Sequence, residues 1–360
     1  MPKQAIVVGA GLSGLASAYA LSDLGFEVRV LERSERLRVG GAGLSLWPNA
    51  VRALREIGLG EVIDAATSPL EEAVTLAPSG RVIPRVPLDR ITRRFGPLVS
   101  AHRGDLITAF AERLGVPVEF GVTVTGEAEI RADPHRGGAD LVVGADGMSS
   151  VVRESVAPGI EPRAAGYAAW RGVVAIPETP VTGASETIGR GKRFGLIPLR
   201  GGRLYWFAVV VGGSPDLDLA TAFADWHEPI PTVLAATAME PRLYLPIHDL
   251  PRLPRWHRDR VVLVGDAAHG MTPNLGQGAA QSFEDVAVLA LELRALPIAE
   301  ALRAYEKARK RRAERIARQS RTMGRIFQAS NPAVAWLRDA VASRTPVAVT
   351  ARQFAGVLSR

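Results

Sequence analysis

The sequence predicts an α/β protein in which a three-layer, mostly parallel and buried sheet carries a largely antiparallel sheet as an insertion and ends in helices. Three observations point there. Short apolar runs rich in β-branched residues end in glycine or in glycine and acid at 4–9, 140–147 and 260–266, as strands buried on both faces do. From about Gly166 to Pro254 the texture changes to alternating, aromatic-rich segments punctuated by Gly and Pro, the pattern of antiparallel strands. With 360 residues, 47% of them hydrophobic and 22% charged, the chain has enough material for two domains.

The first elements form a βαβ unit: a strand over Gln4–Gly9, an Ala-rich helix over Leu15–Leu24 closed by Gly25, and a second strand over Phe26–Glu32. Between the first strand and the helix stands Gly9-Ala-Gly11-Leu12-Ser13-Gly14, and Glu32 follows eighteen residues after Gly14. The three glycines serve different ends in this context. Gly9 permits the tight turn, Gly11 lets backbone approach a pyrophosphate, and Gly14 lets helix and strand pack closely. The helix start offers unpaired N–H groups and a positive dipole end to phosphates, while Glu32 can accept hydrogen bonds from ribose hydroxyls. Arg33 is placed to cover an adenine or meet a phosphate. The pattern predicts a dinucleotide site but does not separate NAD from FAD, because both carry an ADP moiety.

The strand Asp140–Gly144 delivers Asp146 and Gly147 to its C-terminal end, where ligands of open α/β sheets bind. The strand Arg260–Val264 likewise delivers Gly265 and Asp266, followed by His269 and the loop Pro273-Asn274-Leu-Gly276-Gln277-Gly278, which leads into a helix. In the inserted region, alternation along Arg203–Val211 puts Tyr205 and Phe207 on one face of a strand and Trp206 on the other. Arg171 and Arg193 lie in the same region and could pair with an acidic or phenolic substrate.

The formal charge of +7 is concentrated in 303–325, where ten Lys and Arg stand against Glu306 and Glu314. Apolar residues at roughly helical spacing accompany them, so the segment reads as a helix with one docked stripe and one solvated face. No nucleic-acid motif accompanies the charge, and no nucleic-acid partner is expected. The absence of cysteine excludes disulfides and thiolate chemistry and fits a cytoplasmic setting, and no metal site is expected. No membrane span or secretory signal is visible.

Together, Gly9–Gly14, Gly144–Arg153 and Gly265–Gly278 resemble the single-component flavoprotein monooxygenases of the p-hydroxybenzoate hydroxylase type, the class A flavin hydroxylases, over most of the chain. Trp47-Pro-Asn49 and the stretch from Gly191 to Tyr205 resemble the salicylate and urate hydroxylase branch, although some urate-acting members have an acid where this chain has Asn274. The segment Gly121–Asp140 is shorter than the hairpin usual in such relatives.

The resemblance implies a Rossmann-like FAD-binding domain, discontinuous over 1–72, 95–165 and 255–330, a substrate-binding domain over 73–94 and 166–254, and a helical C-terminal tail over 331–360. It implies FAD contacts from Gly9, Gly11, Leu12, Ser13, Gly14, Glu32, Arg33, Arg103, Asp146, Gly147, Arg153, Gly265, Asp266, Pro273, Gly276, Gln277 and Gly278. Arg193, Tyr205, Pro273 and Asn274 are the expected catalytic residues, and Arg171, Arg193, Tyr205 and Phe207 the expected substrate contacts. His269 is expected to hold the loop rather than to move protons.

The reaction so implied spends NADH or NADPH, bound transiently, and dioxygen, through a flavin hydroperoxide, to hydroxylate a small aromatic or heteroaromatic substrate. The alternative is a related flavoprotein epoxidase or tailoring oxidase acting on a non-aromatic alkene or polyketide. The protein is expected as a monomer or homodimer.

Overall fold

The computed structural model describes residues 2–40, 42–86, 88–126, 138–175, 181, 183–238, 242–345, 349 and 355–359. Among them sixteen strands, β1–β16 in chain order, form three sheets. The first runs β15 (His257–Arg258), β16 (Val261–Leu263), β9 (Leu141–Gly144), β1 (Gln4–Val8), β2 (Glu27–Glu32) and β8 (Val118–Phe120), and all its pairings are parallel except β15 with β16. β1, β9 and β16 are buried almost throughout, which explains why their sequences read as continuous apolar runs rather than alternating ones.

The second sheet has the order β14 (Leu243–Asp249), β10 (Arg163–Ala175), β13 (Arg203–Val211), β12 (Lys192–Leu199), β11 (Ala184–Ile188), β5 (Ala73–Leu76) and β6 (Val82–Val86). It is antiparallel except where β11 meets β5. Its two faces have different fates, as alternation dictates. Trp206 and Phe194 stack in an apolar cluster with Phe223 and Trp226, whereas Tyr205 and Ile197 enter a separate cluster on the other face. A third sheet, β3 (Gly43–Leu46), β7 (Val99–His102) and β4 (Thr67–Pro69), is not anticipated by the sequence pattern.

Helix α1 (Leu12–Asp23) follows β1 directly and buries Gly14 through Ala18. Helices α2 (Pro48–Glu56), α3 (Gly278–Ala295) and α4 (Ile298–Phe327) complete the frame of the site. The basic segment is a helix, as its periodicity suggests, but its cations are not simply solvated. Arg309 is 2% exposed and Arg312 and Arg321 are paired with acids of other elements. The burial of Arg309 corrects the expectation for that position: burying a guanidinium is tolerable only with matched anions, and these come from α3. The shortened hairpin lies in part outside the described residues.

Candidate functional site

Three neighbouring parallel strands end together. β1, β9 and β16 are aligned so that Val8 and Leu263 both pair with Gly144. The chain leaving β1 enters the Gly9–Gly14 turn, that leaving β9 enters Ala145–Gly147, and that leaving β16 enters Gly265–Asp266. These turns touch: a Cβ on Gly9 would meet the Ala145 carbonyl at 2.6 Å, and one on Gly265 would lie 3.2 Å from Ser13 Oγ. Residues more than two hundred positions apart therefore share one edge, the carboxyl edge where open sheets bind ligands.

The Gly9–Gly14 turn is built as its spacing requires. Gly9 has φ +102°, and a Cβ on Gly14 would sit 1.8 Å from the Gly9 carbonyl oxygen. Gly11 is different, since a Cβ there would meet no protein atom within 4 Å; its missing side chain leaves open space. Glu32 accepts from the Ala10 and Ser34 amides, each at 2.9 Å. Those bonds hold its carboxyl below the ordinary range against the opposing effect of burial. A carboxylate has acceptor sites beyond two, so hydroxyl recognition is still open to Glu32. Arg33 is exposed beside it, and Leu12 and Ser13 are half-buried at the helix start.

Asp146 Oδ2 accepts from the Val151 and Val152 amides at 2.7 and 3.2 Å, while its buried Oδ1 has no hydrogen-bond partner. Gly147 supplies φ +81° for the turn. Arg153 is 4% exposed and donates to the carbonyls of Met148, Ile160 and Ala267. These bonds clasp the turn that carries Asp146.

Asp266 is exposed by surface area yet closely surrounded by protein atoms, as a carboxyl on the floor of a cleft would be. Those surroundings push its pKa upward, while His269, Arg103 and Arg171 pull it down. Arg103 is conversely lowered by its own burial, with Asp266 opposing. Burial raises the pKa of the Tyr205 phenol, with Arg171 pulling the other way. Arg171 and Tyr205 belong to the antiparallel sheet, and Asp266 to the parallel one. The cleft therefore lies between the two sheets, and β10 pairs Arg171 with Phe207 of β13 across from it.

Beyond Asp266, Pro273 and Gly276 are exposed and Gly278 half-buried at the start of α3. Gln277 is buried, and its side chain accepts from Asn49 and Gln281 at 3.0 Å each. Asn274 faces the antiparallel sheet. Its Oδ1 accepts from Arg193 at 2.8 Å and from Gln328, and its amide donates to Tyr167 Oη, Thr272 Oγ1 and the Ser320 carbonyl. Arg193, 2% exposed, also forms a 2.9 Å ion pair with Glu186, and its Nε is buried without a partner.

Sequence reasoning missed the network beneath this loop. His269 Nε2 meets Asp285 at 2.5 Å, and Arg309 Nε donates to the other Asp285 oxygen at 2.9 Å. Glu284 receives Arg309, Arg312 and the Asn49 amide. Adjacent acids within an otherwise apolar helix, Phe283-Glu284-Asp285-Val286, were the available signal, because buried carboxylates demand cationic partners. No helix among the described residues is long and apolar enough to cross a membrane.

A turn with open space at Gly11, an unsatisfied oxygen on Asp146 and an acid on the cleft floor together define a nucleotide-binding oxidoreductase frame. The chain belongs to the FAD binding domain family, whose match covers residues 3–320. It is 36% identical over 354 residues to an aurachin C monooxygenase/isomerase of Stigmatella aurantiaca, covering 93% of this chain and 92% of that one. It is 39% identical over 347 residues to a 3-amino-4-hydroxybenzoate 2-monooxygenase of Streptomyces cremeus, with 89% and 86% covered. The crystal structure of Klebsiella pneumoniae HpxO complexed with FAD and uric acid superposes with a TM-score of 0.88 at 29% identity, covering 99% and 96% of the two chains. The protein is an FAD-dependent monooxygenase of the class A flavoprotein hydroxylases, with NAD(P)H as co-substrate.

Proposed function

We propose that the cleft between the two sheets oxygenates a small aromatic or heteroaromatic ring that carries no net charge and has one polar edge. The observation that carries this reading is the pairing of Arg193 with both Glu186 and Asn274. A guanidinium already neutralised by a carboxylate and capped by a neutral amide offers a donor without offering net positive charge, which disfavours a free carboxylate and suits a phenol, lactam or quinolone oxygen. By their names the relatives act on aurachin C and on 3-amino-4-hydroxybenzoate, and the solved neighbour holds uric acid. These support a small ring as substrate, whereas the benzoate carries a carboxylate, so the preference for an uncharged ring comes from the Arg193 pairing alone.

In this reading Gly9, Gly11 and Gly14 receive the pyrophosphate with the start of α1, Glu32 the ribose, Asp146 and Asp266 the remaining polar groups, and Pro273 to Gly278 the ring end of FAD. Bound FAD supplies the redox chemistry, taking reducing equivalents from NADH or NADPH and activating dioxygen. The chain's own residues place the substrate. Tyr205 and Phe207 form an apolar wall, Arg171 sits beside them at the cleft, and Arg193 Nε keeps an unused donor for the polar edge of the ring. Ordered donors and an apolar wall hold the reacting carbon still and keep water out.

Purified protein should be yellow and should oxidise NADH or NADPH faster with its substrate, forming hydroxylated product in matched amount. A screen of quinolones, phenols, purines and anionic benzoates decides the substrate class. Protein that takes up no FAD would overturn the assignment, and turnover restricted to anionic benzoates would overturn the preference for an uncharged ring.

A further inference from the structure

The far end of the chain folds back onto the antiparallel sheet. After the helix Pro332–Arg344 it returns as a single helical turn at 355–358, and Leu358 is completely buried. Leu358 belongs to one contiguous apolar cluster with Ala42, Leu70, Ile197 and Tyr205, and Phe207 packs at its edge. Tyr205 is fixed within this cluster by β3: a Cβ on Gly43 would lie 2.4 Å from the ring.

The turn is held by its backbone carbonyls. Arg312 donates to Val357 and Ser359, both at 2.6 Å, and Arg52 donates to Leu358 at 3.1 Å. These are charge-assisted bonds, stronger than neutral ones. The same Arg312 guanidinium forks Glu284 at 2.9 and 3.2 Å, and Glu284 accepts from Asn49, which also donates to Gln277 at the start of α3. The tail is thereby tied to the loop that carries Pro273 and Asn274.

We propose that this C-terminal turn is a wall of the substrate cleft, and that Leu358 is a specificity-determining residue that limits how much ring the cleft admits and helps to keep it dry. The proposal rests on Tyr205 and Phe207 marking the substrate side of the cleft. A leucine enclosed among apolar residues from four separate stretches of chain excludes both water and any substituent that would occupy its volume. The three carbonyl bonds fix the turn in place.

The chain contains no cysteine, so Leu358→Cys and Ser359→Cys each create a single thiol in the full-length protein. With 5,5′-dithiobis(2-nitrobenzoic acid), the thiol at position 358 should react about a hundredfold more slowly than that at exposed position 359. Equal rates would overturn the docking whether or not FAD is bound. In holoenzyme, Leu358→Ala should raise kcat/KM for NADH oxidation with 1-naphthol relative to phenol by about tenfold, mainly through KM. It should also release more hydrogen peroxide per NADH consumed, in the balance NADH + H⁺ + O₂ to NAD⁺ + H₂O₂. Leu358→Met, which keeps most of the volume, should restore both values with FAD content unchanged. A shielded thiol with unaltered size preference and coupling in Leu358→Ala would leave the tail merely docked and overturn its role in specificity. Failure to take up FAD would sink the functional reading while leaving the thiol comparison intact.

Discussion

Arg193 and Asn274, eighty-one residues apart, are joined side chain to side chain, with Nη2 donating to Oδ1 at 2.8 Å. Asn274 uses its amide fully: two donors reach its oxygen and its nitrogen serves three acceptors from Tyr167, Thr272 and Ser320. This one side chain therefore links the antiparallel sheet, the Pro273 loop and α4.

Asn274→Ala should keep FAD, because the Gly9–Gly14, Asp146–Gly147 and Gly265–Asp266 turns make no bond to that amide, its partners being Tyr167, Thr272, Ser320, Arg193 and Gln328. It should yet lower turnover by about tenfold as Arg193 loses its orientation. Leaving Tyr167 and Arg193 without this partner should also cost about 1–3 kcal/mol of stability. Absorbance of bound flavin, steady-state kcat and a urea melt measure the three effects. Loss of flavin in proportion to activity would contradict the separation.

Gly11 and Gly14 should respond differently to the same added methyl. Gly14→Ala drives a Cβ into the Gly9 carbonyl at 1.8 Å, so the turn must distort and both stability and FAD binding should fall. Gly11→Ala meets no protein atom and should fold as well as the wild type, while its methyl occupies the space for the pyrophosphate. FAD affinity should then drop by about tenfold or more with an unchanged melting midpoint. An apoprotein destabilised by Gly11→Ala would show that the open space is not reserved for a ligand.

Arg309 balances two carboxylates that have no water to turn to. Asp285 is held below the usual carboxylate range by His269 and Arg309 despite the upward push of its burial, and Glu284 by Arg309 and Arg312. Arg309→Met should cost about 3–5 kcal/mol, since it strands buried charge rather than removing a pair. The intact network also has a pH signature. Carboxyls with depressed folded-state pKa values contribute stability above their unfolded values, about 4, and lose it as pH falls below that. Wild type should therefore lose stability steeply only below about pH 4, and Arg309→Met should be destabilised already at neutral pH. Equal urea midpoints for the two proteins at pH 7 would refute this account.

The parts of the site legible in the sequence were those that local chemistry dictates. The glycines of Gly9–Gly14, the Asp146–Gly147 turn and Gly265–Asp266 each end an apolar strand, and the sheet needs only its own pairing to gather them. Tyr205 and Trp206 were separable because a strand alternates. The rest depends on pairs distant in sequence. Nothing near Arg309 announces that its helical face meets Glu284 and Asp285, because helical periodicity records only which side is apolar. Leu358 lies beyond the last motif, and the residues that share its apolar cluster, Ala42, Ile197 and Tyr205 among them, come from segments that share no pattern with it. The third sheet was missed for a related reason: β4 has three residues and β3 four, too few for alternation to show.

Asp266 is the group for which stability and function should oppose each other. Its closely packed surroundings raise its pKa even though His269, Arg103 and Arg171 act to lower it, so the desolvation of the cleft floor outweighs these three neighbours. A carboxyl with a raised folded-state pKa leaves stability undiminished below its unfolded value, about 4, and withdraws it as pH rises through the folded one. Asp266→Asn mimics the protonated form with nearly the same shape. As apoprotein it should match the wild type near pH 4 and exceed it at pH 8, while its FAD affinity falls because the acceptor pair on the cleft floor is halved. Urea midpoints of the two apoproteins at both pH values, together with flavin titrations, decide the matter. An Asn variant that is less stable at pH 8 would mean that His269, Arg103 and Arg171 and not the packed cleft floor govern this carboxyl, and one that binds FAD as tightly as the wild type would remove Asp266 from the cofactor site.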